Sequence, residues 1–216
     1  MKFKWFIIVI VISFTLLLKI SAKESNAVKI NLNKDETAII FILEENLNAL
    51  YINSQDYLNE LIILDYKHDE KQIEKYLSKH YMNKFDKLYT TTPVLIELFN
   101  KTSEQINPNN NLIKLKINNK NFCIYIEEYQ NKPNLKQCNF LYIKEYKKSL
   151  LNNLIGNPGV IFQNENEPLP IHIQEKIYDD WTELYTINNN EYTILKITNN
   201  SFDIMIIPKD KYKSYR

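Results

Sequence analysis

The sequence predicts an α/β fold of the αββα sandwich type, two sheets packed face to face with helices outside, preceded by an N-terminal signal segment. Three observations predict it. Short β-branched and aromatic runs bounded by Asn, Asp and Glu read as strands. Helical periodicity recurs between these runs rather than in one block. Both halves of the chain close in strand–helix alternation, which requires sheets covered by helices.

Three apolar stretches, 28–32, 37–43 and 49–53, open the domain as a meander broken by Asn/Asp/Glu turns. A helix follows. Asp69 supplies a cap, Gln72 sits three residues on, and Ile73, Tyr76, Leu77, His80 and Tyr81 recur at helical spacing. The run 85–90 reads as a strand, and Thr92-Pro93 gives an N-cap and a first-turn proline for a short helix reaching Phe99.

In the second half Ile113, Leu115 and Ile117 alternate with Lys114 and Lys116 before an Asn118-Asn119 turn and the strand 122–127, a hairpin. Strand 140–143, a helix over 149–155 stopped by Gly156 and Pro158, and strand 160–163 resume the alternation. Ile173, Ile177 and Trp181, four apart, mark a last helix. Strands 184–187, 192–197 and 202–207 follow, joined at 188–190 and at Asn199-Asn200. The expected organisation is residues 1–27 as signal and 28–216 as a single αββα domain with two halves alike in order.

Residues 5–18 form an uncharged apolar run behind Lys2 and Lys4, the layout of a signal peptide. Fourteen helical residues span about 21 Å, short of a ~30 Å hydrocarbon core, which favours cleavage over a stable membrane span. Ser25-Asn26-Ala27 offers small residues for the cleavage subsites; Ile20-Ser21-Ala22 fits less well because Ile20 is bulky. The expected address is exported, periplasmic or extracellular. The alternative is a membrane-anchored chain held by residues 5–18, with Lys19 at the anchor's edge.

The whole chain carries 27 basic and 26 acidic side chains; removing residues 1–27 takes four lysines and one glutamate, leaving 23 and 25, a net charge of −2. So balanced a surface gives little long-range pull on phosphate, arguing against nucleic acid as the main ligand. Only two glycines occur, Gly156 and Gly159. P-loops, dinucleotide fingerprints and Gly-x-Ser-x-Gly elbows, all of which need glycine for close backbone approach or positive φ, are absent. Asn takes the left-handed turn positions instead.

The passage Ile73-Glu74-Lys75-Tyr76-Leu77 … Lys84-Phe85-Asp86-Lys87-Leu88-Tyr89-Thr90-Thr91 resembles the helix-to-strand approach to the metal motif of metallo-β-lactamase-fold proteins. It is most similar to the extracytoplasmic domain of ComEC-type competence (DNA-uptake) proteins. Further matching stretches are 122–128, 139–143, 164–168 and 185–197. The resemblance implies an αββα fold, and by descent a metal-dependent hydrolase. The family's His-x-His-x-Asp-His run, however, corresponds to Thr92-Pro93-Val94-Leu95-Ile96-Glu97. The bridging aspartate falls near Glu127 or Glu128, the next histidine near Glu145 or Tyr146, and the last near Glu167. Zinc needs three or four converging donors, with imidazoles dominant. No metal and no cofactor is therefore expected, and no catalytic residue; Glu127, Glu128, Glu145 and Glu167 are the remaining candidates, able as carboxylates to hold Ca²⁺ or Mg²⁺.

His68, His80 and His172 are the only histidines and none is paired at metal-binding spacing. His80 reads as a core or rim residue and His68 as a solvated loop residue. Cys123 and Cys138 are the entire cysteine inventory. An even count in an exported chain favours a disulfide, which would close a loop of about fifteen residues and contribute ~3 kcal/mol; the alternative is two separate buried thiols. The terminal 208–216 run interleaves lysines with tyrosines, a base-stacking pattern or a solubilising tail, and Lys144, Lys147 and Lys148 form a second basic patch. Three functions stand: an exported non-catalytic binding or scaffolding domain with an envelope or membrane protein partner, a divergent hydrolase or nuclease with carboxylate-held metal, and a decayed gene product.

Overall fold

Strand β1 (Thr37–Glu44) is buried almost throughout, which explains why its sequence is a continuous apolar run rather than an alternating one. Ile39, Phe41 and Leu43 enter one core cluster and Ala38, Ile40 and Ile42 another. A strand covered on both faces needs a layer on each side. The computed structural model describes residues 32–45, 47–54, 59–67, 70–79, 84–90, 95, 99, 102–105, 112–126, 134–146, 154, 158–180 and 182–209.

The remaining strands are β2 (Leu47–Ser54), β3 (Glu60–Tyr66), β4 (Lys87–Thr90), β5 (Thr102–Gln105), β6 (Leu112–Ile117), β7 (Lys120–Tyr125), β8 (Phe140–Ile143), β9 (Val160–Asn164), β10 (Glu183–Ile187), β11 (Glu191–Ile197) and β12 (Phe202–Pro208). Two helices are complete among the described residues, α1 (Glu70–Lys79) and α2 (Ile171–Asp179). None there is long and apolar enough to cross a membrane.

The class is α/β with two mixed sheets. A seven-stranded sheet runs β12-β11-β1-β2-β3-β4-β5 and a five-stranded sheet β10-β9-β8-β7-β6. In the first, β3, β4 and β5 are mutually parallel and the other pairings antiparallel. In the second, β7 to β10 are parallel and only β6 is antiparallel. Parallel neighbours need a crossover, and α1 lies between β3 and β4 as α2 lies between β9 and β10.

One core cluster joins the two sheets. Phe41 of β1 packs on Phe122, Tyr142 and Phe162 of β7, β8 and β9, with ring centroids 6.0, 5.4 and 4.5 Å away. A second cluster sets the other face of the larger sheet, through Leu61, Ile63 and Leu88, against Ile73 and Leu77 of α1 and against Leu95. A third sets Tyr125, Leu141 and Ile161 of the smaller sheet against Ile173 and Ile177 of α2 and against Leu154.

The opening meander differs from the expected one. Its strands are β1, β2 and β3, while the first expected run, 28–32, lies outside the described residues except for Leu32. Leu61 to Leu64 is a four-residue apolar run with no alternation, because both faces of β3 are buried. The strand β5 was equally unmarked, being the polar Thr-Ser-Glu-Gln. The closing hairpin β11–β12 does not stay with its half of the chain but pairs with β1. The helix expected to reach Trp181 ends at Asp179, and Trp181 is outside the described residues, as are the signal segment 1–27 and most of the expected helices over 92–99 and 149–155.

The Asn118-Asn119 turn is as expected, with Asn118 at φ 45°, the left-handed region that glycine would otherwise fill. Asn118 Nδ2 donates to the carbonyls of Ile197 at 2.8 Å and Asp35 at 3.2 Å, fastening the hairpin of the smaller sheet to the larger one.

Cys123 and Cys138 form a disulfide with Cα atoms 5.8 Å apart, inside the ~7 Å reach of such a bridge. Both are buried in the third cluster.

Candidate functional site

Polar residues stop the apolar runs at one end of β1, β3, β8 and β9, and there the two sheets enclose a crevice of about 130 Å³. Carboxyl ends of parallel strands are where open α/β sheets place their ligands. Glu44 and Glu45 arrive from β1, Asp65 and Lys67 from β3, Lys144 and Glu145 from just beyond β8, and Asn164, Asn166 and Glu167 from the end of β9.

A bulge shapes the β3 side. Asn48 faces Asp65 and Ala49 faces Ile63, so Leu64 has no partner on β2, and a bulge re-aims the residues beside it. Asp65 beyond it reaches Lys144 of the other sheet, Oδ2 to Nζ 3.8 Å. Glu44 is held from two sides. Tyr76 of α1 donates its hydroxyl to Glu44 Oε1 at 3.0 Å, and Lys209 bonds the same oxygen while donating to the Leu43 carbonyl at 3.1 Å. The Lys209 ammonium also lies 5.2 Å from the Tyr192 ring centroid. Burial first, then the neighbouring Tyr192 and Glu44, keeps the Tyr76 hydroxyl protonated far above the ordinary tyrosine range.

Deeper in, Asn48 and Asn164 are both buried. Asn48 Oδ1 accepts from the Tyr142 hydroxyl at 2.9 Å, and Asn164 Oδ1 accepts the Asn166 amide at 2.9 Å while its carbonyl accepts the Glu167 amide at 3.2 Å. Asn164 thereby sets the turn carrying Glu167. Next to it, Gln163 is bonded at both ends, to Thr186 Oγ1 and from the Leu169 amide, each at 2.9 Å.

The crevice brings together two of the four candidate carboxylates, Glu145 and Glu167. Glu127 and Glu128 lie outside the described residues, as do Glu97, His68 and His80. Tyr146, the other position matched to a family histidine, packs on the third core cluster rather than lining the crevice. His172 is exposed on α2. Among the described residues no three His, Cys, Asp or Glu side chains are grouped so as to hold a metal.

Lys209 is part of the fold's edge rather than of a solvated tail, and Lys144 works in the crevice while Lys147, Lys148 and residues 210–216 lie outside the described residues. Sequence reasoning missed Glu44, Asn48, Asp65, Asn164 and Asn166. Each sits where an apolar run ends, where turn chemistry alone accounts for a polar residue.

Five acidic and two basic side chains line the crevice, and Lys209 adds a third cation against Glu44. With a liquid water occupying ~30 Å³, the volume suits a few waters or a small polar group. Comparison of the chain with protein-family models and with curated proteins finds no match.

Proposed function

We propose that this protein is an exported, non-catalytic binding or scaffolding domain of metallo-β-lactamase-like αββα fold. Support for the fold comes from α1 against the outer face of the seven-stranded sheet and α2 against that of the five-stranded sheet, with one core between the sheets. The Cys123–Cys138 bridge supports an oxidising compartment.

One observation carries the functional reading. In the crevice that holds Glu145 and Glu167, two neighbouring carboxylates carry lysine partners, Lys144 beside Asp65 and Lys209 on Glu44. An ammonium group supplies locally the positive charge that a bound cation would supply, and repels that cation. The domain then acts by holding a partner, for which an envelope or membrane protein of a DNA-uptake type assembly is the reading, with nucleic acid not the main ligand.

The test is metal content and nuclease activity of purified protein after equilibration with Zn²⁺, Mn²⁺ or Ca²⁺. Substoichiometric metal and no cleavage of single-stranded DNA are expected; one bound zinc per chain, or metal-dependent cleavage, overturns the reading.

A divergent hydrolase with carboxylate-held metal is the second reading, favoured by Glu145 and Glu167 sharing the crevice. It requires that Glu167→Ala with Glu128→Ala abolish a metal-dependent activity while leaving the fold intact.

A further inference from the structure

A larger hollow, about 550 Å³, lies at the other end of β1 from the crevice, within the ~300–1,000 Å³ range of binding pockets. Its floor is the larger sheet, lined by Ile52, Glu60 and Tyr89, and one wall is the continuous stretch 114–119. Successive side chains of a strand point to opposite faces. A hollow touched by Lys114, Leu115, Lys116 and Ile117 in succession therefore meets the edge of β6, not one of its faces.

The backbone bonding says which groups that edge presents. On β7, the Asn121 amide donates to Asn139 Oδ1 at 2.8 Å and its carbonyl accepts the Asn139 amide at 2.9 Å; the Tyr125 carbonyl accepts the Lys144 amide at 3.0 Å. Both residues thus turn their peptide groups toward β8 and away from β6. In an antiparallel ladder the residues opposite such positions also turn away. Lys116 faces Asn121 and Leu112 faces Tyr125, with Lys114 at the same parity. Among the described residues β6 pairs with β7 alone, so Leu112, Lys114 and Lys116 aim N–H and C=O groups outward along this wall.

We propose that this edge binds an extended acidic peptide as an added strand, its backbone pairing with Lys114 and Lys116 and its carboxylates meeting their ammonium groups. Strand addition of this kind draws affinity from main-chain bonds and selectivity from alternate side chains. The charge selects the occupant: both lysine side chains are exposed, and a second copy laid along β6 would set lysine against lysine, which is destabilising across strands. The floor offers the half-buried Tyr89 ring, with Lys87 Nζ 4.6 Å from its centroid, as an apolar platform for inward side chains of the guest.

The probe is a fluorescein-labelled peptide alternating Glu and Val, titrated into the full-length, bridge-intact protein by fluorescence anisotropy. Saturable binding is expected, with amide shifts at Lys114 and Lys116 and roughly tenfold weaker binding to Lys114→Glu/Lys116→Glu. Two further peptides, each N-methylated on one set of alternate residues, keep the test independent of any protein variant: one should lose binding and the other retain it. The proposal is overturned by absence of saturable binding, by equal affinity for a Lys-Val peptide, by indifference to both N-methylations, or by sedimentation showing that a second copy covers β6. Because the hollow and the crevice lie at opposite ends of β1, none of these outcomes bears on metal binding.

Discussion

The hydroxyl of Tyr142 on β8 donates to Oδ1 of Asn48 on β2 at 2.9 Å, a buried hydrogen bond that joins the two sheets beneath the polar crevice. Both residues are buried, Tyr142 1% and Asn48 7% exposed. Removing one partner leaves the other unsatisfied, at a cost of about 1–3 kcal/mol. Tyr142→Phe and Asn48→Ala should each lower the urea midpoint, and the double variant should lose less than the sum. Strict additivity in that cycle would mean that the bond contributes nothing across the sheets.

Alkaline pH should destabilise the fold once the unfolded chain's tyrosines begin to ionise, because the buried ones cannot follow. Burial raises the pKa of Tyr51, Tyr76 and Tyr142, with Asp86 adding to it at Tyr51, which is pushed up to about 12. Unfolded tyrosines lose their protons near ~10, so above that pH the native state holds more protons than the unfolded state, and stability falls as pH rises. Each such tyrosine steepens the fall by up to about 1.4 kcal/mol per pH unit until it ionises in the native state. Urea midpoints measured from about pH 8 to 12 should drop from about pH 10 upward, and less steeply for Tyr142→Phe.

Reduction or Cys123→Ala/Cys138→Ala should cost about 3 kcal/mol, the loop-closure value for a separation of 15 residues. Mass mapping of unreduced protein should find no alkylatable thiol, and a free thiol at both positions in native protein would remove the bridge from the fold.

Asn118 combines a left-handed backbone with two donated bonds. Asn118→Gly keeps the backbone freedom and loses the bonds; Asn118→Ala loses both. The expected order of thermal stability is wild type, then Gly, then Ala, with about 1 kcal/mol between the two variants. Equal stability of the Gly and Ala variants would show that the φ value carries no cost.

Strands with one buried face or a clear turn were legible: the β6–β7 hairpin announced itself through Lys114 and Lys116 alternating with Ile113, Leu115 and Ile117. The strand β3 was not, because Leu61 to Leu64 bury both faces and leave no period to read. Sheet membership was legible only in part. Nothing in 191–208 says that this hairpin returns to β1, since pairing partners distant in sequence leave no local mark. Of the crevice, Glu145 and Glu167 were named through a family resemblance, whereas Asp65 and Lys144 meet only because a bulge and a strand end happen to face one another across sheets.

The bridge between Cys123 and Cys138 also makes a covalent ring of residues 123–138, and the candidate carboxylates Glu127 and Glu128 lie within it. A protease that cuts once inside the ring opens it without separating the two parts of the chain. The parallel strands β7 and β8 stay joined through the bridge, so a nicked molecule gains only the mass of one water and separates into two pieces only after reduction.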